Sequence, residues 1–237
     1  LADAPVKAAV IVFPGTNCEH DAVYALASVG VEADLVWHRE TDLSEFSGVL
    51  LPGGFAHGDY LRTGAIARFS PVMSEVERLA AAGIPVLGIC NGFQILCEAG
   101  LLPGVLLQNA GLRFMCRPVH LRVTSTDSIL TRAARPGQVL QIPLNSFEGN
   151  YTADPITFGQ MEAAGRVVLR YADPHGEVTG AANPNGSLGN TAGVANQSGN
   201  VAGLMPHPER AIEQVLGSAD GRILMESFAM SMGAARV

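Results

Sequence analysis

The sequence predicts an α/β fold, a doubly wound and mostly parallel sheet flanked by helices, with an antiparallel extension. Two observations predict it. Between Ala8 and Gly100 short apolar runs alternate with helix-length segments, the rhythm of strands buried on both faces of a parallel sheet. After Gly111 the rhythm changes, and strand-like runs follow one another without intervening helices.

Taken in order, Ala8 to Phe13 (AAVIVF) is an unbroken apolar run closed by Pro14 and Gly15, and reads as the first strand. Glu19 to Ser28 reads as a helix, Val31 to Trp37 as the second strand and Gly48 to Leu51 as the third. Pro71 to Ala82 has the periodicity of an amphipathic helix, which Gly83 closes. Pro85 to Ile89 is the fourth strand, and Phe93 to Ala99 its helix, with Gly100 as the stop. Arg113 to Val123, Val139 to Pro143, Val167 to Tyr171, Thr191 to Ala195 and Val201 to Met205 read as further strands. Ala182 to Ser187 is a turn, and Gly221 to Met232 closes the chain as a helix. Neither an internal repeat nor a linker is found. Residues 1–237 are therefore expected to form one domain, with the antiparallel extension packed on a parallel core.

Composition narrows the function. A chain of 237 residues can build a core without disulfides. With 48% hydrophobic and only 16% charged residues, it is neither a disordered tail nor a charged coiled coil. The net charge of −7 argues against a nucleic-acid partner and against an anionic membrane. Two stretches carry no Asp, Glu, Lys or Arg, one between Arg78 and Glu98 and one between Glu177 and Glu209, but Gly, Pro, Asn and Gln interrupt the first and Asn, Gly and Ser fill the second, so neither reads as a membrane span. Leu1 to Lys7 has neither the basic start nor the apolar core of a signal peptide, and a cytoplasmic location is expected. Cys18, Cys90, Cys97 and Cys116 form no CxxC pair and no Cys/His metal spacing, so no metal site is expected. Lys7 is the only lysine and precedes the first strand, which excludes a Walker phosphate loop.

The most informative segment is VLGICNGFQ, Val86 to Gln94. A strand runs through GlyxCysxGly straight into a helix, the layout of a nucleophile elbow with Cys90 as the nucleophile. Gly88 and Gly92 let the helix and strand approach, and the helix N-terminus favours a thiolate at this position. A thiol nucleophile needs a base. Several histidines have a carboxylate two residues on, but His207 follows an apolar run and sits in PHPER, where Pro208 biases it toward extended backbone. In an extended chain residues i and i+2 point the same way, so Glu209 can fix the His207 tautomer and complete a Cys/His/Glu triad. The backbone amide of Asn91 and the LPGG junction, Leu51 to Gly54, are candidate oxyanion donors.

These residues, with FPGTNC at Phe13, PGGFAHGDYLRTGAIA at Pro52, GICNGFQIL at Gly88, LRFMCR at Leu112, EGNY at Glu148 and GLMPHPER at Gly203, resemble the class I, triad-type glutamine amidotransferases. Among these, the resemblance is to the glutaminase subunits of phosphoribosylformylglycinamidine synthases. It covers nearly the whole chain and implies a flavodoxin-like class I amidotransferase fold. Cys90, His207 and Glu209 look like the triad, Gly54 and Asn91 like oxyanion donors, and Gln94 like a glutamine-binding side chain. The implied reaction is hydrolysis of glutamine. Its ammonia would pass to a large synthetase subunit that carries ATP and magnesium, so no cofactor is expected on this chain, and a small accessory subunit is implied as a further partner.

Two places depart from the family pattern: Asn145, Ser146 and Phe147 stand where AlaHisGly is usual, and His57 stands where Tyr is common. Three other readings stay open from sequence: an amidotransferase serving another synthetase, a catalytically silent subunit that senses glutamine, and a cysteine hydrolase or chaperone of similar fold.

Overall fold

A computed structural model describes residues 6–233, so Leu1 to Pro5 of the N-terminal stretch, and the last four residues of the expected domain, lie outside the described residues. The parallel part of the sheet is built from β1 (Lys7–Val12), β2 (Glu32–Trp37), β3 (Gly48–Leu51) and β4 (Val86–Ile89). The later strands are β5 (Val105–Leu107), β6 (Met115–Val123), β7 (Val139–Ser146), β8 (Asn150–Thr152), β9 (Val167–Ala172), β10 (Thr191–Ala195) and β11 (Val201–Leu204). The helices are α1 (Glu19–Ser28), α2 (Pro71–Ala81), α3 (Asn91–Glu98), α4 (Pro155–Ala163) and α5 (Gly221–Ser231).

One nine-stranded sheet runs in the order β2-β1-β3-β4-β11-β10-β9-β6-β7, while β5 and β8 pair separately. β2, β1, β3, β4 and β11 are mutually parallel, and every pairing from β11 onward is antiparallel. Burial follows this division. β3, β4 and β11 are buried at every residue, as strands covered on both faces must be, whereas β7 alternates buried and half-buried positions along its length. The apolar side chains of both halves form one contiguous core cluster.

The antiparallel extension differs from expectation in how it joins. It does not pack on the parallel core but continues it, because β11 still has a row of backbone groups on its far edge, and the β10–β11 pairing, Gly193 opposite Leu204 and Ala195 opposite Ala202, satisfies them. β7 also runs past Pro143 to Ser146. It is the outermost strand, where a proline costs no ladder bond, and all eight of its residues pair with β6. Helix α4 and the short strands β5 and β8 have no counterpart in the sequence reading. Asp154 caps α4 by accepting from the amides of Ile156 and Thr157, with Pro155 in the first turn.

Among the described residues no helix is long and apolar enough to cross a membrane.

Candidate active site

The sheet brings the triad residues together through one strand pairing. β4 ends at Cys90 and its parallel neighbour β11 leads to His207, and the Cys90 amide donates to the Leu204 carbonyl at 2.8 Å. Helix α3 starts at Asn91, two residues earlier than the sequence pattern suggested, so Cys90 is its N-cap. The Cys90 backbone sits at φ 52° and ψ −107°, a conformation that L residues avoid and that nucleophile elbows impose. The elbow is held from below: a Cβ on Gly92 would come 1.9 Å from the Leu51 carbonyl oxygen, so only glycine lets α3 start this close to β3.

His207 and Glu209 meet, but not along a strand. Pro208 to Arg210 form a single 3-10 turn, and that turn swings the Glu209 carboxylate back to the ring, with Oε1 at 2.6 Å from Nδ1. The His207 amide donates to Pro143 of β7 at 2.8 Å, which fixes the start of the turn. Both side chains are buried, His207 at 2% exposure and Glu209 at 3%. Burial opposes a charged ring, yet the Glu209 carboxylate first, and then the neighbouring Cys90 and Cys18 sulfurs, outweigh it and hold the His207 pKa well above the usual histidine value. Nε2, the nitrogen not used by Glu209, has no hydrogen-bond partner among the described residues.

Cys90, His207, Gly54 and Gln94 line one cavity of about 270 Å³. Cys90 is 7% exposed, less open than an elbow suggests, and its thiol faces the Asn145 carbonyl at 3.6 Å. Gly54 reaches the wall because the segment Gly15 to Asn17 crosses directly behind it, where a Cβ would come 2.7 Å from the Thr16 Cα. The Asn91 side chain is buried and braces the junction, accepting from the Ala56 amide at 3.0 Å and donating to Gln94 Oε1 at 2.9 Å. The Gln94 Nε2 donates to the Glu148 carbonyl at 2.6 Å, so part of its amide is committed to the wall.

The two departures from the family pattern now have places. Asn145, Ser146 and Phe147 line the cavity, and the contact to Cys90 is a backbone one that any residue at 145 supplies. Asn109 pins this segment by donating to Ser146 O and accepting from the Gly149 amide. His57 points elsewhere, edge-on to His38 with ring centroids 5.3 Å apart.

Sequence reasoning missed Cys18, Asp59, Thr63, Glu148 and Arg210, which also line the cavity. Cys18 Sγ accepts from Arg210 Nη2 at 3.2 Å and lies beside Asn17 Oδ1 at 3.1 Å. Cys18, His207 and Glu209 offer donor atoms within 4.8 Å of one another, the set a metal ion would meet here, although hydrogen bonds already engage Nδ1 and Sγ. Asp59 is pushed up to about 6 by burial and by the facing Glu148 carboxylate, against a weak bond from Asn91. A buried nucleophile, a buried base with a free nitrogen and a pocket for a small molecule suit acyl transfer from an amide.

Comparison with known proteins identifies the family. The chain is 50% identical over 228 residues to a protein of Koribacter versatilis named phosphoribosylformylglycinamidine synthase subunit PurQ, covering 96% of this chain and 99% of that one. A protein of the same name from Chlorobaculum tepidum is 54% identical over 233 residues, covering 98% and 100%. A solved structure described as PurLQS from Thermotoga maritima superposes with a TM-score of 0.85 at 40% identity, over 96% of this chain and 99% of that one. Residues 5–228 match the family described as the CobB/CobQ-like glutamine amidotransferase domain. Sharing about half its residues with such relatives along almost its whole length, and their fold with it, the chain belongs to that glutamine amidotransferase family.

Proposed function

We propose that this chain is the glutaminase subunit of a phosphoribosylformylglycinamidine synthase, hydrolysing glutamine to glutamate and ammonia at Cys90. His207 Nε2 takes the thiol proton, and Sγ attacks the side-chain amide carbon of glutamine. The oxyanion that forms is met by the backbone N–H groups of Gly54 and Asn91. Collapse returns the proton to the leaving nitrogen, ammonia departs and a glutamyl thioester remains. Water, deprotonated by the same histidine, then cleaves the thioester. Glu209 holds Nδ1 throughout and offsets the imidazolium charge. Gln94 completes the glutamine pocket.

The observation that carries this reading is the pairing of Cys90, in its left-handed backbone, with a buried His207 whose Nε2 is free to serve it. A silent glutamine sensor has no need of both. The relatives named PurQ support the choice of synthetase: ammonia would pass to a large subunit that uses ATP and magnesium to convert formylglycinamide ribonucleotide to formylglycinamidine ribonucleotide, with a small accessory subunit in the complex. On this reading the chain works in the cytoplasm, and its four free cysteines are consistent with a reducing compartment.

The test is Cys90→Ala in the assembled complex. It should abolish glutamine-dependent amidine formation while ammonium salts still support it. Glutamine use equal to wild type would overturn the nucleophile, and a different amidated product would overturn the choice of synthetase.

A further inference from the structure

The glutaminase reading leaves two carboxylates in the cavity wall without a task. Asp59 belongs to the segment after β3, and Glu148 to the turn between β7 and β8, so they enter from different walls. Neither forms a salt bridge among the described residues. Glu148 Oε2 accepts from the Thr63 hydroxyl at 2.9 Å, and Asp59 Oδ1 has only a long contact, 3.4 Å, to Asn91 Nδ2.

Holding them there is costly. His57, Asp59 and Leu61 all have positive φ, 55°, 54° and 70°, so the backbone is strained on both sides of Asp59. Arg62 clamps the same segment to α3 through a two-pronged pair with Glu98, both contacts 2.6 Å. Two like charges, partly buried in one cavity, are stabilised by a cation, and no salt bridge among the described residues supplies one: Arg210, which also lines the cavity, is paired with Asp21. The cavity's other end is also incomplete, since His207 Nε2 is buried and unpartnered there. An α-amino acid amide complements both ends at once.

We infer that Asp59 and Glu148 form the seat for the α-ammonium group of the amino-acid substrate, and so select glutamine over amides that lack that group. The inference rests on the glutaminase reading and deepens it. The distance from seat to nucleophile is set by one helical turn: Asn91 contacts Asp59, Gln94 holds the Glu148 carbonyl, and both follow Cys90 at the start of α3.

The experiment measures how well two ligands protect Cys90 from iodoacetamide in the full chain, alone and in the assembled complex, with the modified peptide quantified by mass spectrometry. The ligands are L-glutamine and 4-carbamoylbutanoate, which is glutamine without its amino group. Wild type should be half protected by glutamine at a concentration about tenfold to a hundredfold lower than by the analogue. Asp59→Asn keeps a residue type that tolerates left-handed backbone. It should weaken protection by glutamine about tenfold or more and leave protection by the analogue unchanged. Glu148→Gln should do the same, and it carries the test if Asp59→Asn does not fold. Unchanged discrimination in a folded variant of either residue would overturn the seat while leaving glutamine as substrate. If glutamine fails to protect wild type even in the complex, the glutaminase reading falls and the seat with it.

Discussion

The backbone N–H of Cys90 donates to the carbonyl of Leu204 at 2.8 Å, so the nucleophile and the histidine three residues beyond Leu204 hang from one rung of the sheet. Their spacing starts from the β4–β11 pairing, and the short bend through Met205 and Pro206, tied to Pro143, completes it.

A chloroketone analogue of glutamine is expected to alkylate Cys90. Cys18 lines the same cavity, but it is 2% exposed and its sulfur is engaged by Arg210 and Asn17. Cys97 is buried, and burial together with Glu98 pushes its thiol pKa far up. Peptide mapping decides the matter. Label chiefly on Cys18 would move the nucleophile to the opposite wall.

Glu209→Gln is expected to lower glutaminase turnover by about two to four orders of magnitude while the protein still folds. It also removes the largest influence raising the His207 pKa. A raised histidine contributes stability in full below its unfolded value of about 6.5 and loses it as pH rises through the folded value. The variant should lose that contribution at a lower pH than wild type. Denaturant titrations at a series of pH values, run beside steady-state kinetics, read both effects, and near-normal turnover would make Glu209 a spectator.

Asp59→Asn should stabilise the protein while harming substrate binding. The Asp59 pKa is raised in the fold to about 6, so the ionised form is disfavoured there relative to the unfolded chain. The penalty is complete above about pH 6 and fades as pH falls toward the ordinary carboxylate value. After discounting for partial solvent screening, the gain is about 1 kcal/mol at pH 8, vanishing near pH 4. Thermal melts at both pH values test it. A destabilised variant at pH 8 would show that the carboxylate supports the fold.

Gly92→Ala should prevent normal folding or cost more than about 3 kcal/mol, because its Cβ would stand 1.9 Å from the Leu51 oxygen, where neither backbone can yield. Soluble yield and a urea midpoint measure it. A wild-type midpoint would mean that the elbow can relax.

What the sequence disclosed follows from the range of the forces involved. β3, β4 and the elbow are short apolar runs punctuated by glycine, so local composition reveals them. His207 and Glu209 were found by spacing, although the contact is made by a turn and not by an extended chain. Helix α4 was missed because its signal lies in its cap, Asp154 followed by Pro155, rather than in apolar periodicity, and Gly159 interrupts it. β5 and β8 have three residues each and exist only because they pair with each other. Asp59 and Glu148 are 89 positions apart, and no local pattern could bring them into one cavity.

The two-residue interval between His207 and Glu209 has a mechanical consequence. A triad drawn from three distant parts of a chain must keep three mutual placements in register as the protein breathes. Here the acid and base travel together as one rigid cassette, set by Pro208 and tethered to Pro143, so only its docking against the Cys90 elbow remains variable. The Glu209–His207 contact is therefore kept by one local turn, and the proton transfer depends only on how that turn meets the elbow.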